Sequence, residues 1–327
     1  MNIIDYVKCS SQENKLSPYN MKISDTLVLT ALSYIDFSVV SENLNEKTKL
    51  SDAINQMFSF GINQKYEKFL INLRNSKRFS NLYISGYRNE YDSLSNPMQF
   101  SVITIQISDS LHFISYSGTD GTVVGWKEDF QFSYLTQTPA QNKALEYLKE
   151  AADSLGGHFI ISGHSKGGNL AAYASIFIGY NIRKRINSVF CNDAPGFNRD
   201  VDILTQEGYF DIENRIHCIL PQDSMIGQLL QVFPEKHSNI IFSNSENLLY
   251  QHDIFTWQID DAGNPKWLKN INKRTEIGMK KINNLISNLS MNQRENFTDF
   301  IFDILETQNI KHIDALKSFI PLKCFKI

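Results

Sequence analysis

Apolar positions recur along the chain in three regimes. From residue 1 to about 95 their spacing is helical: Leu27, Leu29, Leu32 and Ile35 form a rough stripe behind Ser24-Asp25, a capping pair, and a second helix is expected over 52–60. The middle changes period. Two β-rich runs, 101–107 and 111–117, flank Ser108-Asp109-Ser110, which reads as a hairpin turn. Helix is then expected over 140–155 (Ala144, Leu145, Leu148 and Ala151 in register), strand over 158–162, helix over 168–180, and strands over 188–192, 215–220 and 239–242. Strands alternating with helices or long crossovers predict an α/β fold with a largely parallel sheet and helices on its faces. From about Trp267 the pattern is helical again, with a stripe of Ile282, Leu285, Ile286 and Leu289, then the capping box Ser290-x-x-Gln293 opening a helix through Leu305. The expected organisation is a helical N-terminal extension (1–95) packing on the body, an α/β core (96–262) and a helical C-terminal extension (263–327).

Composition narrows the function classes. Of 327 residues, 42% are hydrophobic and 20% charged, enough apolar material for a large core and too much for a disordered chain. The 32 Lys and Arg nearly balance 35 Asp and Glu, for a net charge of −3 without a basic block, which argues against nucleic acid as partner. Cys9, Cys191, Cys218 and Cys324 lie far apart with no CxxC, as reduced thiols do. The seven histidines are scattered, and there is no HExxH or Walker loop, so no metal or cofactor is expected. The first eight residues lack a basic flank followed by an apolar stretch, and no apolar run reaches the ~18 residues of a membrane span. A soluble, cytoplasmic protein is the expectation.

The segment that carries chemistry is His158-Phe-Ile-Ile-Ser-Gly163-His164-Ser165-Lys166-Gly167-Gly168. It holds Gly-x-Ser-x-Gly directly after a buried strand and directly before a helix. Glycines at 163 and 167 let neighbouring backbone pass a strained strand-to-helix turn, which exposes the Ser165 hydroxyl beside a helix N-terminus. Ser165 is the candidate nucleophile.

A serine nucleophile needs a base, and the base an orienting carboxylate. The order Ser, acid, His leaves His237, His252 and His312. His252 lies in a loop beyond the last core strand and is preferred; His237 is expected in a polar turn facing solvent, and His312 in the helical tail. For the acid, Asp223 follows the second strand beyond the nucleophile strand and ranks first. Asp193, one strand earlier, is its rival. The oxyanion donors expected are the backbone N–H of Lys166 and Thr119, the latter in the strand-ending turn Gly118-Thr119 and able to offer N–H and hydroxyl.

These residues resemble known families. Tyr116-Ser117-Gly118-Thr119, with Trp126 and Asp129 downstream, resembles the oxyanion segment of class 3 lipases, and Gly163-His164-Ser165-Lys166-Gly167-Gly168 resembles their nucleophile elbow. A closer resemblance is to the bacterial Mbeg-like family of unknown function, through the segment from Ser24 to Phe37 and through His252-Asp253 with Trp257. The resemblance implies an α/β-hydrolase fold with Ser165, Asp223 and His252 as triad and Thr119 with Lys166 as oxyanion donors. One departure stands out: Ser117 occupies a position where class 3 lipases usually carry Arg.

The expected function is therefore a serine esterase acting on an acyl lipid or small acyl ester, with peripheral membrane contact compatible with that role. Thioesterase or acyltransferase chemistry on the same triad is one alternative. A non-catalytic hydrolase-like binding module is another. Trp126, Phe130, Phe132, Tyr134 and Leu135 are read either as lining for an acyl chain or as plain core.

Overall fold

The computed structural model describes residues 1–92, 97–308 and 310–312. Nine strands, β1 (Thr48–Lys49), β2 (Tyr83–Asp92), β3 (Met98–Ser108), β4 (Leu111–Tyr116), β5 (His158–His164), β6 (Ile186–Asn192), β7 (Ile216–Pro221), β8 (Ser238–Ile241) and β9 (Trp267–Leu268), form one sheet in sequence order. β1 to β4 are antiparallel, β4 to β8 parallel, and β9 closes the edge antiparallel. The helices are α1 (Ile3–Cys9), α2 (Ile23–Ala31), α3 (Leu50–Phe60), α4 (Gln64–Asn75), α5 (Val123–Gln131), α6 (Pro139–Ser154), α7 (Lys166–Phe177), α8 (Tyr180–Arg183), α9 (Glu207–Ile212), α10 (Leu248–Gln251), α11 (Lys273–Ser287) and α12 (Met291–Thr307).

This is an α/β-hydrolase arrangement, and its strand order dictates where the helices go. Parallel strands that advance always in one direction through right-handed crossovers must put every crossover helix on the same face. Accordingly α6, α7 and α9 share one core with Ile114, Tyr116, Phe159, Ile161, Val189 and Cys191. The opposite face has no crossover to cover it. The N-terminal extension does so instead, burying Leu27, Leu29, Leu32, Ile54, Phe69 and Leu73 against Ile105, Phe113, Ile160 and Phe190. Side-chain alternation on β4 and β5 feeds both cores, which is why these strands read as continuous apolar runs.

The expected elements between 101 and 305 form close to the predicted bounds. The extension differs from its expectation in carrying strands: β1 and β2 lie inside it, and β2 pairs with β3 over most of its length, so its described residues are not helical throughout. The polar alternation of Tyr83–Asp92 at its outer end masked that strand. The helix after Ser24-Asp25 also begins earlier, at Ile23, with Asp25 in its first turn accepting from the Lys22 N–H at 2.7 Å. No helix of the described residues is long and apolar enough to cross a membrane. Cys9, Cys191 and Cys218 are free thiols, and Cys324 lies outside the described residues.

A buried charge cluster ties the extension together. Arg78 donates from Nε to Asp25 Oδ1 at 2.8 Å and from Nη2 to the Asn20 carbonyl at 2.7 Å, while Tyr6 Oη donates to Asp25 Oδ1 at 2.9 Å. Arg78 and Asp25 are both fully buried. Removing Asp25 takes the one buried carboxylate from Arg78 and leaves it only the half-exposed Glu13 at 3.2 Å, so Asp25→Ala is expected to lower unfolding free energy by about 3 kcal/mol in urea titration.

Candidate active site

The nucleophile elbow follows from sterics. Ser165 holds φ 58° and ψ −131°, a conformation L-residues avoid, between β5 and α7. A Cβ on Gly163 would lie 2.1 Å from Gly167 backbone, and one on Gly167 would lie 2.1 Å from the Tyr116 carbonyl oxygen, so both positions require glycine. The bend leaves Ser165 half-buried at the carboxyl edge of the sheet, and its N–H is held by the Asn192 carbonyl at 2.9 Å.

The structure brings Ser165 and His252 to the same edge and sets Asp193, rather than Asp223, against the His252 ring. His252 Nδ1 lies 2.6 Å from Oδ2 of Asp193, whose side chain is fully buried. Asp193 itself has φ 44°, and its other oxygen accepts from the Ser224 hydroxyl and from the Gly227 N–H at 3.1 Å. Asp223, ranked first from the sequence, instead accepts from Thr275 Oγ1 at 2.6 Å and Gln251 Nε2 at 3.2 Å. Asp223 therefore braces α11 and the base loop rather than the His252 ring. The reason is geometric. Because strand order is sequential, the end of β6 lies one strand from Ser165 and the end of β7 lies two away, roughly 10 Å at the usual spacing.

The other histidines are elsewhere. His237 is buried, contrary to expectation, with Nε2 3.3 Å from Tyr209 Oη at the opposite end of β8, and His312 bridges to Thr122. The Ser165–His252 hydrogen bond is not formed among the described residues, a contact that in such sites commonly tightens only with substrate.

The Gly118-Thr119 loop, expected to supply an oxyanion donor, lies against the elbow: a Cβ on Gly118 would sit 3.0 Å from Ser165 Cβ. The Thr119 hydroxyl is committed, donating to Asp129 Oδ2 at 2.6 Å, which leaves its backbone N–H as the free donor. Burial pushes the Asp129 carboxyl up to about 6, against the pull of Lys166 and the Thr119 bond. A raised carboxyl pKa means that the folded state holds this proton more tightly than the unfolded chain. Its contribution to stability therefore falls as pH rises from the ordinary 3.8 to about 6. Asp129→Asn is expected to flatten that fall, as urea midpoints taken across this window would register.

Several residues that sequence reading left without a role hold this corner. Lys166 Nζ is buried and donates to Glu128 Oε2 at 2.9 Å, to the Gln99 carbonyl at 2.6 Å and to Gln99 Oε1 at 2.7 Å. It joins the elbow to α5 and β3. The Ser117 hydroxyl donates to the neighbouring Gly118 carbonyl at 3.2 Å, and the buried cation at this corner comes from Lys166 rather than from position 117. His164 Nε2 meets the His252 carbonyl at 2.7 Å, and Nδ1 meets Tyr34 Oη at 2.6 Å. A carbonyl only accepts, so Nε2 carries the proton and Tyr34 donates to Nδ1. Burial and the neighbouring His252 ring hold His164 well below the usual histidine range, as this neutral tautomer requires. Only the adjacency of His164 to Ser165 hinted at this clamp.

The aromatic residues after the loop favour core over acyl lining. Phe132 and Tyr134 are buried, and Phe130 packs edge-on against Phe302 of α12 at 5.4 Å. A cavity of about 700 Å³ does exist, but it opens on the far side of α7 and neither Ser165 nor His252 lines it.

A sequence profile described as Mbeg1-like matches residues 73–303. No curated protein matches the sequence significantly. Among solved structures, M37 lipase is 14% identical with a TM-score of 0.42, covering 86% of this chain and 98% of its own. A lipase from Rhizopus microsporus var. chinensis is 11% identical with a TM-score of 0.35, covering 83% of this chain and 84% of its own.

Proposed function

The chain belongs to the Mbeg1-like family, and from that footing we propose that it is a serine hydrolase cleaving a carboxylic ester, of an acyl lipid or small acyl compound, through an acyl-enzyme on Ser165. One observation carries the reading: a half-buried histidine bonded through Nδ1 at 2.6 Å to a fully buried carboxylate, Asp193, at the strand edge that presents Ser165. A structural histidine does not need a buried acid; a catalytic base does.

In this mechanism the Asp193 carboxylate accepts a hydrogen bond from Nδ1–H of His252 without taking the proton, which fixes the tautomer and leaves Nε2 unprotonated. Nε2 takes the Ser165 proton as Oγ bonds to the acyl carbon. The carbonyl oxygen becomes an oxyanion facing the N–H groups of Lys166 and Thr119, with the α7 N-terminus adding favourable potential. His252 then gives its proton to the departing alkoxide. Water repeats the sequence on the acyl-enzyme, releasing the acid and free Ser165.

The test is hydrolysis of p-nitrophenyl esters of graded acyl length together with fluorophosphonate labelling. Turnover with labelling at one residue per chain is expected, and the preferred chain length sizes the acyl site. Folded protein that hydrolyses none of the series and is not labelled would leave a hydrolase-like binding module as the better reading.

A further inference from the structure

The cavity behind α7 arises from a missing crossover helix. β6 and β7 are joined through α9, but the β7–β8 connection contains only short turns at Ile226–Gln228 and Glu235–His237. The sheet face over β7 and β8 is spanned instead by α11, arriving from the C-terminal end of the chain. α11 is clipped on by polar contacts: Thr275 to Asp223 at 2.6 Å, and Asn283 Nδ2 to the Gln228 carbonyl at 2.6 Å. Met279 is its one buried residue. A helix held by polar clips at its ends does not interdigitate with the sheet, and about 700 Å³ stays open beneath it. Cores ordinarily close such voids, and this volume falls within the roughly 300–1,000 Å³ typical of ligand sites.

The walls have a definite chemistry. Cys191, Phe197, Cys218, Leu220, Phe233 and Met279 make an apolar interior, and Gly168, Ala172 and Ala194 keep its floor low. The hydrogen bond with Cys218, together with burial, holds the Cys191 thiol well above the usual thiol range and so uncharged. Charge appears only at the rim. Lys280 is matched by Glu276 of α11 and lies in the field of Glu235, whereas Lys269 and Lys273 have no acidic partner among the described residues. An apolar chamber with two unmatched ammonium groups at its mouth is complementary to a chain that is apolar along its length and anionic at one end.

We propose that this cavity binds a single-chain anionic amphiphile, a long-chain carboxylate, with the chain over Ala172 and the carboxylate at Lys269 and Lys273. The site is separate from Ser165 and stands whether or not Ser165 is a nucleophile. Ala194 and Gly227, which flank and hydrogen-bond Asp193, form part of its wall, so the bound chain touches the loops that hold that carboxylate.

The experiment is fluorescence titration of the full chain with cis-parinaric acid below its micelle concentration. Saturable binding of one probe per chain is expected, displaced by oleate and at least about tenfold less well by oleyl alcohol, which lacks the charge. The double variant Lys269→Glu/Lys273→Glu, altered only at exposed positions, is expected to bind the probe at least about tenfold more weakly. Ala172→Trp, which fills the chamber, is expected to abolish binding while circular dichroism stays native. Absence of saturable binding overturns the proposal. So does full affinity in the lysine variant, or in folded Ala172→Trp, since the probe would then occupy the Ser165 cleft or the surface. If Ala172→Trp does not fold, the lysine variant and the oleate–alcohol comparison decide the question alone, and a chain with no esterase activity would still be expected to pass both.

Discussion

Ser165→Ala is expected to reduce p-nitrophenyl ester hydrolysis by at least about 10⁴-fold and to eliminate fluorophosphonate labelling, because residual turnover in such variants comes only from the oxyanion donors and binding. Stability should not move. The Ser165 hydroxyl has no hydrogen-bond partner among the described residues, and alanine bears the same left-handed strain at φ 58°. An unchanged urea midpoint beside lost activity would therefore assign the loss to chemistry. Hydrolysis persisting near the wild-type rate would mean that another group attacks the ester, and the elbow would be a structural turn.

The second large effect separates the two acids. Asp193→Asn is expected to cost about 10⁴-fold in kcat, because the amide no longer fixes the His252 tautomer or balances the imidazolium. Asp223→Asn is expected to leave kcat within about threefold and to cost about 1–2 kcal/mol of stability, since its partners are Thr275 and the Gln251 amide rather than the His252 ring. The reverse pattern would return the catalytic role to Asp223. A pH–rate profile strengthens the comparison. Loss of the acid should alter the base limb in Asp193→Asn and leave it in place in Asp223→Asn.

These two carboxylates also mark how far the sequence could be read. Ser165 was legible because its neighbours are constrained by sterics: only glycine fits at 163 and 167, and the strand before and helix after are periodic enough to recognise. His252 was legible by elimination among few histidines. The acid was not, because both Asp193 and Asp223 follow strands, and choosing between them needs the strand order and the left-handed turn at Asp193. Counting strands points to Asp223, whereas the carboxylate that meets His252 Nδ1 is that of Asp193, one strand earlier. The clamp through Tyr34, His164 and the His252 carbonyl joins residues 88 or more positions apart, and the adjacency of His164 to Ser165 is its one local sign.

The strand β2 was hidden for a related reason. Its outer half, Arg88 to Asp92, buries no residue and alternates between half-buried charged positions and exposed ones, a pattern shared by exposed loops and helices.

What the sequence by itself determined is local: periodicity, the strand-to-helix elbow around Ser165, the hairpin of β3 and β4, and the parallel character of the sheet. These depend on steric and hydrophobic rules acting over a few residues. What only the tertiary structure decided is which distant groups meet: the N-terminal extension as cover for the face that right-handed crossovers leave bare, Asp193 rather than Asp223 at His252, Lys166 as a buried tie to Glu128, and the chamber under α11. Each is a long-range pairing selected by the packing of whole elements, and that selection becomes visible only once the sheet is assembled.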